Sequence, residues 1–599
     1  MLKKFFTVLL GSMAAIWLSF LIFIAIIFVA FMTWMSPSNS LKIEPGSILY
    51  LDMDGEITDR YTPLTIEDVL TGNTADRLSF DEIVRAIRLA KTDANIKGIY
   101  MNLRGSSMGL PLREELRSEL AEFKKTGKWI VAYGDNYDQG DYYTASIADE
   151  LYINPSGSLS ADGLAVTVPF FKNALDKLGV EVQVIKVGTF KSAVEPFVLT
   201  QMSDSARMMY DALLNREWDE YVSNVVSDRR LGPEGDSLFR EMAAAPMFGY
   251  TADELIDAKL FDNKLYAYQV ENKLKQKAAT DDKLKLVVPR DYLATYPEIG
   301  FGEAPAEKPH IAVLYAIGDI VDSGSEGIVG DEMAPLIARL ADDENVKGLV
   351  LRINSGGGSA FASEQIWASL EYFKQKNKPF VVSMADVAAS GGYYIACGGD
   401  RIFADPATIT GSIGIFGIIP YAKELLNDKL GINFDVAETN PNAVLGRLDA
   451  PLTPAQHAAL EKSIHNGYDL FISRVAQGRG MEDSAVRRIA EGRVWAGSTA
   501  QQIGLVDEMG GLADAVKYIS GKCGLSVKDC IDYPQIELTP IELLLSMNLG
   551  KTSISYPLIK SLLHAINMSD KEIEASFNTV GRIKKMGTIQ AKMEDISIE

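Results

Sequence analysis

WIVAYGDNYDQGDYYTASIADELYINPSGSLSADG, residues 129–163, and FVVSMADVAASGGYYIACGGDRIFADPATITGSIG, residues 380–414, are two versions of one pattern, 251 residues apart. Each begins with an apolar strand-like run, enters a turn, continues as a small-residue helix and returns to an apolar run. Two further pairs keep the same order. NIKGIYMNLRG (95–105) matches NVKGLVLRINSGG (345–357), and ILYLDMDGEITD (48–59) resembles IAVLYAIGDIVD (311–322). A repeat of roughly 250 residues is too long for a solenoid unit, so each copy is a domain.

Within each copy, short β-branched runs alternate with amphipathic stretches. GLVLRI (348–353), ASEQIWASLEYFKQK (362–376) and PFVVSM (379–384) read as strand, helix and strand. Strands of this kind, apolar throughout rather than alternating, belong to parallel sheets covered on both faces. The fold class is therefore α/β, duplicated in tandem. The expected divisions are an N-terminal segment at 1–40, a first repeat at 41–290, a second at 291–540 and a helical tail at 541–599. The charged, Pro-containing stretch 278–309 is the expected connection.

The formal net charge is −21 over 599 residues, and basic residues form no long run. Nucleic acid is thereby excluded as a general partner, because phosphate binding needs a basic face. Lys3 and Lys4 precede an almost charge-free run, Phe5–Trp34. It exceeds the roughly 20 residues that cross a bilayer and the about 7–15 of a cleaved signal peptide. It is expected to be a retained transmembrane helix, with the lysines cytoplasmic and the body on the far side. Cys397, Cys523 and Cys530 form no metal-ligand pattern; Cys523 and Cys530 can pair or remain as two thiols. His310, His457, His465 and His564 are expected on surfaces or helices rather than as metal ligands.

Comparing the copies exposes complementary losses. The second has Ser390 at a strand-to-helix turn and three glycines in RINSGGGS (352–359), where close backbone approach can present N–H groups to an oxyanion. The first has Gln139 at the serine position and NLRGSSMG (102–109) at the glycine loop. Conversely, VQVIKVGTFKSAVEPF (182–197) carries Lys191 just past a strand, whereas its counterpart falls near Asn442. A serine without a base in one copy and a lysine without a serine in the other indicate a shared site. Lysine acts as a base only when neutral, which requires burial. Ser412 can orient the amine without adding charge, and Glu195 must point away from Lys191. Lys186, inside the strand, is the rival base.

The segments NSGGGSAFASE, MADVAASGGYYIA, ITGSIGIFG and VGTFKSAVEPF resemble the long, duplicated form of bacterial signal peptide peptidase A, from about residue 45 to 540. The resemblance implies tandem domains of the Clp protease/crotonase-like fold behind one transmembrane helix. It implies Ser390 as nucleophile, Lys191 as general base and Ser412 as the lysine-orienting residue. Gly357 and Gly391 would supply oxyanion-hole amides, with no metal or organic cofactor. It further implies a homotetramer in the inner membrane, single-pass, with a periplasmic catalytic body that cleaves remnant signal peptides. One departure is Gly356, where the family's loop commonly has proline; it relaxes the loop's φ restriction. The alternatives are acyl-CoA chemistry of the crotonase type, which leaves the lysine unexplained, and a non-catalytic membrane scaffold.

Overall fold

The computed structural model describes residues 43–61, 78–280, 282–296, 306–324, 326–535 and 589–592. The apolar run Phe5–Trp34, His564 and nearly all of the tail lie outside them. Among the described residues no helix is long and apolar enough to cross a membrane.

The first repeat supplies strands β1 (Ser47–Glu56), β2 (Ile96–Ser107), β3 (Trp129–Gly134), β4 (Glu150–Ile153), β5 (Glu181–Val187), β6 (Asn263–Lys264) and β7 (Leu286–Val287). The second begins with β8 (His310–Ile317), β9 (Ile320–Val321), β10 (Ile328–Val329), β11 (Val346–Ser355), β12 (Gly357–Ser359) and β13 (Phe380–Ala389). It continues with β14 (Arg401–Ala404), β15 (Ile409–Gly411), β16 (Ile415–Tyr421), β17 (Val494–Ala496), β18 (Glu508–Met509) and β19 (Cys530–Tyr533). Residues 589–592 form β20.

The duplication is visible strand by strand. The first sheet runs β6–β4–β3–β2–β1–β7, and the second contains the path β18–β14–β13–β11–β8–β19. Every neighbouring pair along both paths is parallel. The strands are apolar because helices cover both faces: Ile311 to Ala316 of β8 are all buried. Separate apolar cores fill the two repeats, one around Leu51, Ile99 and Leu116, the other around Leu314, Leu351 and Ile366.

Three expectations need correction or completion. His310 is fully buried in β8 rather than on a surface or helix. Its ring meets the carbonyl of Lys308 at 2.8 Å and the Tyr533 hydroxyl at 3.3 Å, which satisfies both nitrogens. The connection 278–309 is partly structural: β7 extends the first sheet, and Tyr292 of the helix Pro289–Ala294 donates to Asp93 at 2.9 Å. All three cysteines are free thiols, with Cys397 and Cys530 buried.

The repeats are joined through buried charge. Arg352 of β11, fully buried, donates to Asp59 at 2.9 Å and to Glu115 at 3.0 Å, both from the first repeat. Ser383 Oγ accepts a further bond at 2.8 Å. Its two carboxylates hold the guanidinium charged despite burial. Removing one member of such a group leaves its partners buried and uncompensated, at a cost of about 3–5 kcal/mol. Arg352→Met is therefore expected to lower the urea midpoint of unfolding clearly, whereas a surface Arg104→Met change leaves it nearly unmoved.

Candidate active site

Strand β13 delivers Ser390 to its position. The serine follows Ala389 directly and adopts φ 55°, ψ −116°, a conformation that costs a non-glycine residue about 1–3 kcal/mol. The surroundings hold it there. Its N–H donates to the Gly411 carbonyl at 2.8 Å, and its carbonyl accepts from Tyr394 N–H at 2.9 Å. Gly392 allows the turn to lie against the glycine loop, since a Cβ there would stand 2.7 Å from the Ser355 carbonyl oxygen.

Lys191 arrives from the other repeat. Strand β5 leaves the first sheet and pairs antiparallel with β16 over seven consecutive positions, from Val187 opposite Ile415 to Glu181 opposite Tyr421. The segment after β5 is then pinned to residues 491–492. Phe190 N–H donates to the Glu491 carbonyl at 2.8 Å, and Thr189 N–H to the Glu491 carboxylate at 2.9 Å. Gly492, at φ +73°, lies so close that a Cβ would meet the Lys191 backbone at 2.8 Å.

These two deliveries converge. Lys191 Nζ stands 2.9 Å from Ser390 Oγ, 3.0 Å from Ser412 Oγ and 3.2 Å from the Ser412 carbonyl oxygen. Lys191 is 1% exposed, Ser390 0% and Ser412 2%. In the neutral amine, two N–H groups can serve the Ser412 oxygens while the lone pair accepts the Ser390 O–H. Burial at this depth works against the ammonium form. Glu195 does point away: its carboxylate accepts from Ser203 N–H at 3.0 Å and Ser203 Oγ at 2.7 Å. Lys186, the rival, donates to the Lys191 carbonyl at 3.2 Å.

The glycine loop flanks the serine. Gly357 (φ +105°) donates its N–H to Ser355 Oγ at 3.1 Å. Gly358 (φ +153°) leaves no room for a side chain, because a Cβ would fall 2.0 Å from the Ile320 carbonyl oxygen. Gly391 opens the helix Gly391–Ala396, at a position whose N–H has no intrahelical acceptor. Between β12 and β16 runs β20, antiparallel to both, opposite Gly357–Ser359 on one side and Phe416–Gly417 on the other. The space between β12 and β16 is thus filled by an extended strand.

The first repeat's equivalent is closed to this chemistry. Gln139 accepts from Gly163 N–H at 3.0 Å, and Asp141 occupies the loop amides of Gly105 (2.9 Å) and Ser106 (3.2 Å). Asn442, the counterpart of Lys191, lies in an exposed turn. Among the described residues no group of three or more His, Cys, Asp or Glu side chains is placed to hold a metal ion.

Comparison with known proteins agrees with the repeat. The profile of peptidase family S49 matches residues 122–281 and 372–526.

The chain belongs to peptidase family S49.

It is 36% identical over 561 residues to Protease 4 of Salmonella typhi, covering 90% of this chain and 88% of that one. Protease 4 of Haemophilus influenzae is 36% identical over 526 residues, covering 84% and 83%. A shorter protein of Enterococcus faecium, named as a signal peptide peptidase, is 31% identical over 243 residues, covering 39% of this chain and 69% of its own. This S49 chain is a serine protease.

Sequence reasoning missed Glu491 and Gly492, which carry no chemical signature and matter only because the Lys191 segment leans on them. Gly492→Ala adds a methyl group where Lys191 already touches, at a φ that costs alanine about 1–2 kcal/mol. Since a shift of about 1 Å can cost a hundredfold in rate, peptidase activity should fall by roughly tenfold or more. Circular dichroism should show the fold retained.

Proposed function

We propose that this serine protease is a membrane-anchored endopeptidase in which Ser390 is the nucleophile and Lys191 the general base. The observation that carries the reading is the buried 2.9 Å contact between Lys191 Nζ and Ser390 Oγ, made across the two repeats. As Oγ attacks a peptide carbonyl, Lys191 takes its proton, and Ser412 keeps the amine aimed. The amides of Gly391 and Gly357 receive the developing oxyanion, the latter by leaving Ser355 Oγ. The ammonium then returns the proton to the leaving amine, and water resolves the acyl-enzyme with Lys191 again as base.

The substrates are remnant signal peptides and other extended, apolar peptides. The groove occupied by β20 supports an extended substrate paired to β12 and β16, as in strand addition. The signal peptide peptidase name of the Enterococcus relative supports the substrate class. The anchor is Phe5–Trp34, with the two repeats, each Clp protease/crotonase-like, on the periplasmic side of the inner membrane and assembled as a homotetramer.

Ser390→Ala and Lys191→Ala should each reduce hydrolysis of an apolar peptide at least about a thousandfold without altering assembly size. A fully active Lys191→Ala enzyme would sink the dyad. Because the neutral amine is the working form, kcat/KM should rise with pH between about 6 and 10; a flat profile contradicts lysine as base. A chain ending before Ile589 no longer fills the groove and is expected to show a lower KM.

A further inference from the structure

The first repeat has lost its nucleophile but kept its cleft. A cavity of about 460 Å³ lies where the first copy's active site would be. Its walls include Gly105–Pro111, equivalent to the catalytic glycine loop, and Gln139, equivalent to Ser390. The second repeat closes it with Asp386, Val387, Ala407 and Ile409. A merely decayed site would be expected to fill with apolar side chains, since cores close their voids.

This cavity stays open, and its largely apolar lining carries three carboxyl groups, Asp138, Glu217 and Asp386. Glu217, on the helix Asp204–Asp228, is 2% exposed, and its Oε1 has no hydrogen-bond partner among the described residues. A buried carboxyl oxygen left unpaired is costly unless something else uses it. Burial, and then the neighbouring Glu220, push its carboxyl up to about 8. Asp386 lines the wall and Asp138 stands exposed among the lining residues. The one cation on the lining, Arg113, is already engaged by the carbonyls of Ser106 (2.6 Å) and Met108 (3.1 Å) and by Thr144 Oγ1 (3.0 Å). What the cavity lacks is a positive charge.

One wall of the cavity is the strand that leads to Ser390. Val387 lines it three residues before Ser390, about 10 Å along a strand. Val387 and Ile409 belong to an apolar cluster with Ala389, Val166 and Phe190. An apolar peptide segment over its half-buried members Val166, Phe190 and Val387 would carry its neighbouring residues towards Glu217.

We propose that this cavity is a second substrate-binding site, which takes a lysine or arginine side chain of a peptide whose apolar part lies at Ser390. The inference rests on the peptidase reading above and adds a determinant of substrate choice to it. When the cation enters, Glu217 releases its proton to solvent and becomes the carboxylate partner. Signal peptides suit the arrangement because they join a basic end to an apolar stretch.

The test uses the full chain carrying Ser390→Ala and a fluorescent apolar decapeptide in which one lysine, or one norleucine, is moved residue by residue. Anisotropy should show lysine binding about tenfold more tightly than norleucine at a limited set of positions three or more residues from the cleavage point. Adding Glu217→Gln, close to isosteric, should bring that ratio to within about twofold. Asp138→Asn, which still caps its helix and sits on the surface, should lower it in the same direction. Equal affinities for lysine and norleucine at every position, or a ratio unchanged by both substitutions, overturn the inference. Cleavage of the norleucine peptides by unsubstituted enzyme reports separately on the dyad: cleavage without lysine preference removes only the second site, whereas lysine-dependent binding without cleavage removes the dyad reading.

Discussion

The antiparallel pairing of β5 with β16 is the constraint on which the site depends. Among the described residues β5 has no strand partner in its own repeat, so its backbone hydrogen bonds are completed by the other. Seven paired positions fix both the register and the face presented. The exit from β5 therefore emerges beside Ser412, and Lys191 follows four residues later. A one-residue slip would turn the strand over and carry the lysine away. Catalytic geometry here is a consequence of strand register before it is a matter of side-chain choice.

Rigid joining of the repeats protects that register. Arg352 with Asp59 and Glu115 forms one buried cross-link, and Leu112 N–H donating to Asp386 at 3.1 Å forms another. Such groups add little net stability over apolar packing, but they accept only one relative placement of the two domains. The duplicated sheets then diverge in use. In the second repeat the loop amides stay close to the serine, whereas in the first the Asp141 carboxylate sits on the equivalent amides. The first repeat's own loop thus holds an anion permanently where the second would receive one transiently.

Much of the fold was legible because parallel strands covered on both faces read as apolar runs, and the runs repeat. Ser390 was legible for a local reason: a small polar residue between a strand and two glycines marks a strained turn. Lys191 needed comparison of the copies, since an isolated lysine after a strand is usually solvated. His310 was misread because a histidine between apolar residues can be buried once both nitrogens find partners. Part of 278–309 was misread because two-residue sheet edges such as β7 have no periodicity. Glu217 was invisible: a carboxylate on a long helix looks exposed until another domain covers it.

By itself the sequence determined the duplication, the α/β class and the complementary loss of serine from one copy and lysine from the other. Those are properties of residue type and spacing, which survive without coordinates. Only the tertiary structure decided that residues 199 apart stand at hydrogen-bond distance. That decision lies in non-local strand pairing and in the clamp of Glu491 and Gly492 on the lysine segment. Neither is encoded in a local pattern, because a strand's hydrophobicity says that it must pair but not with which edge.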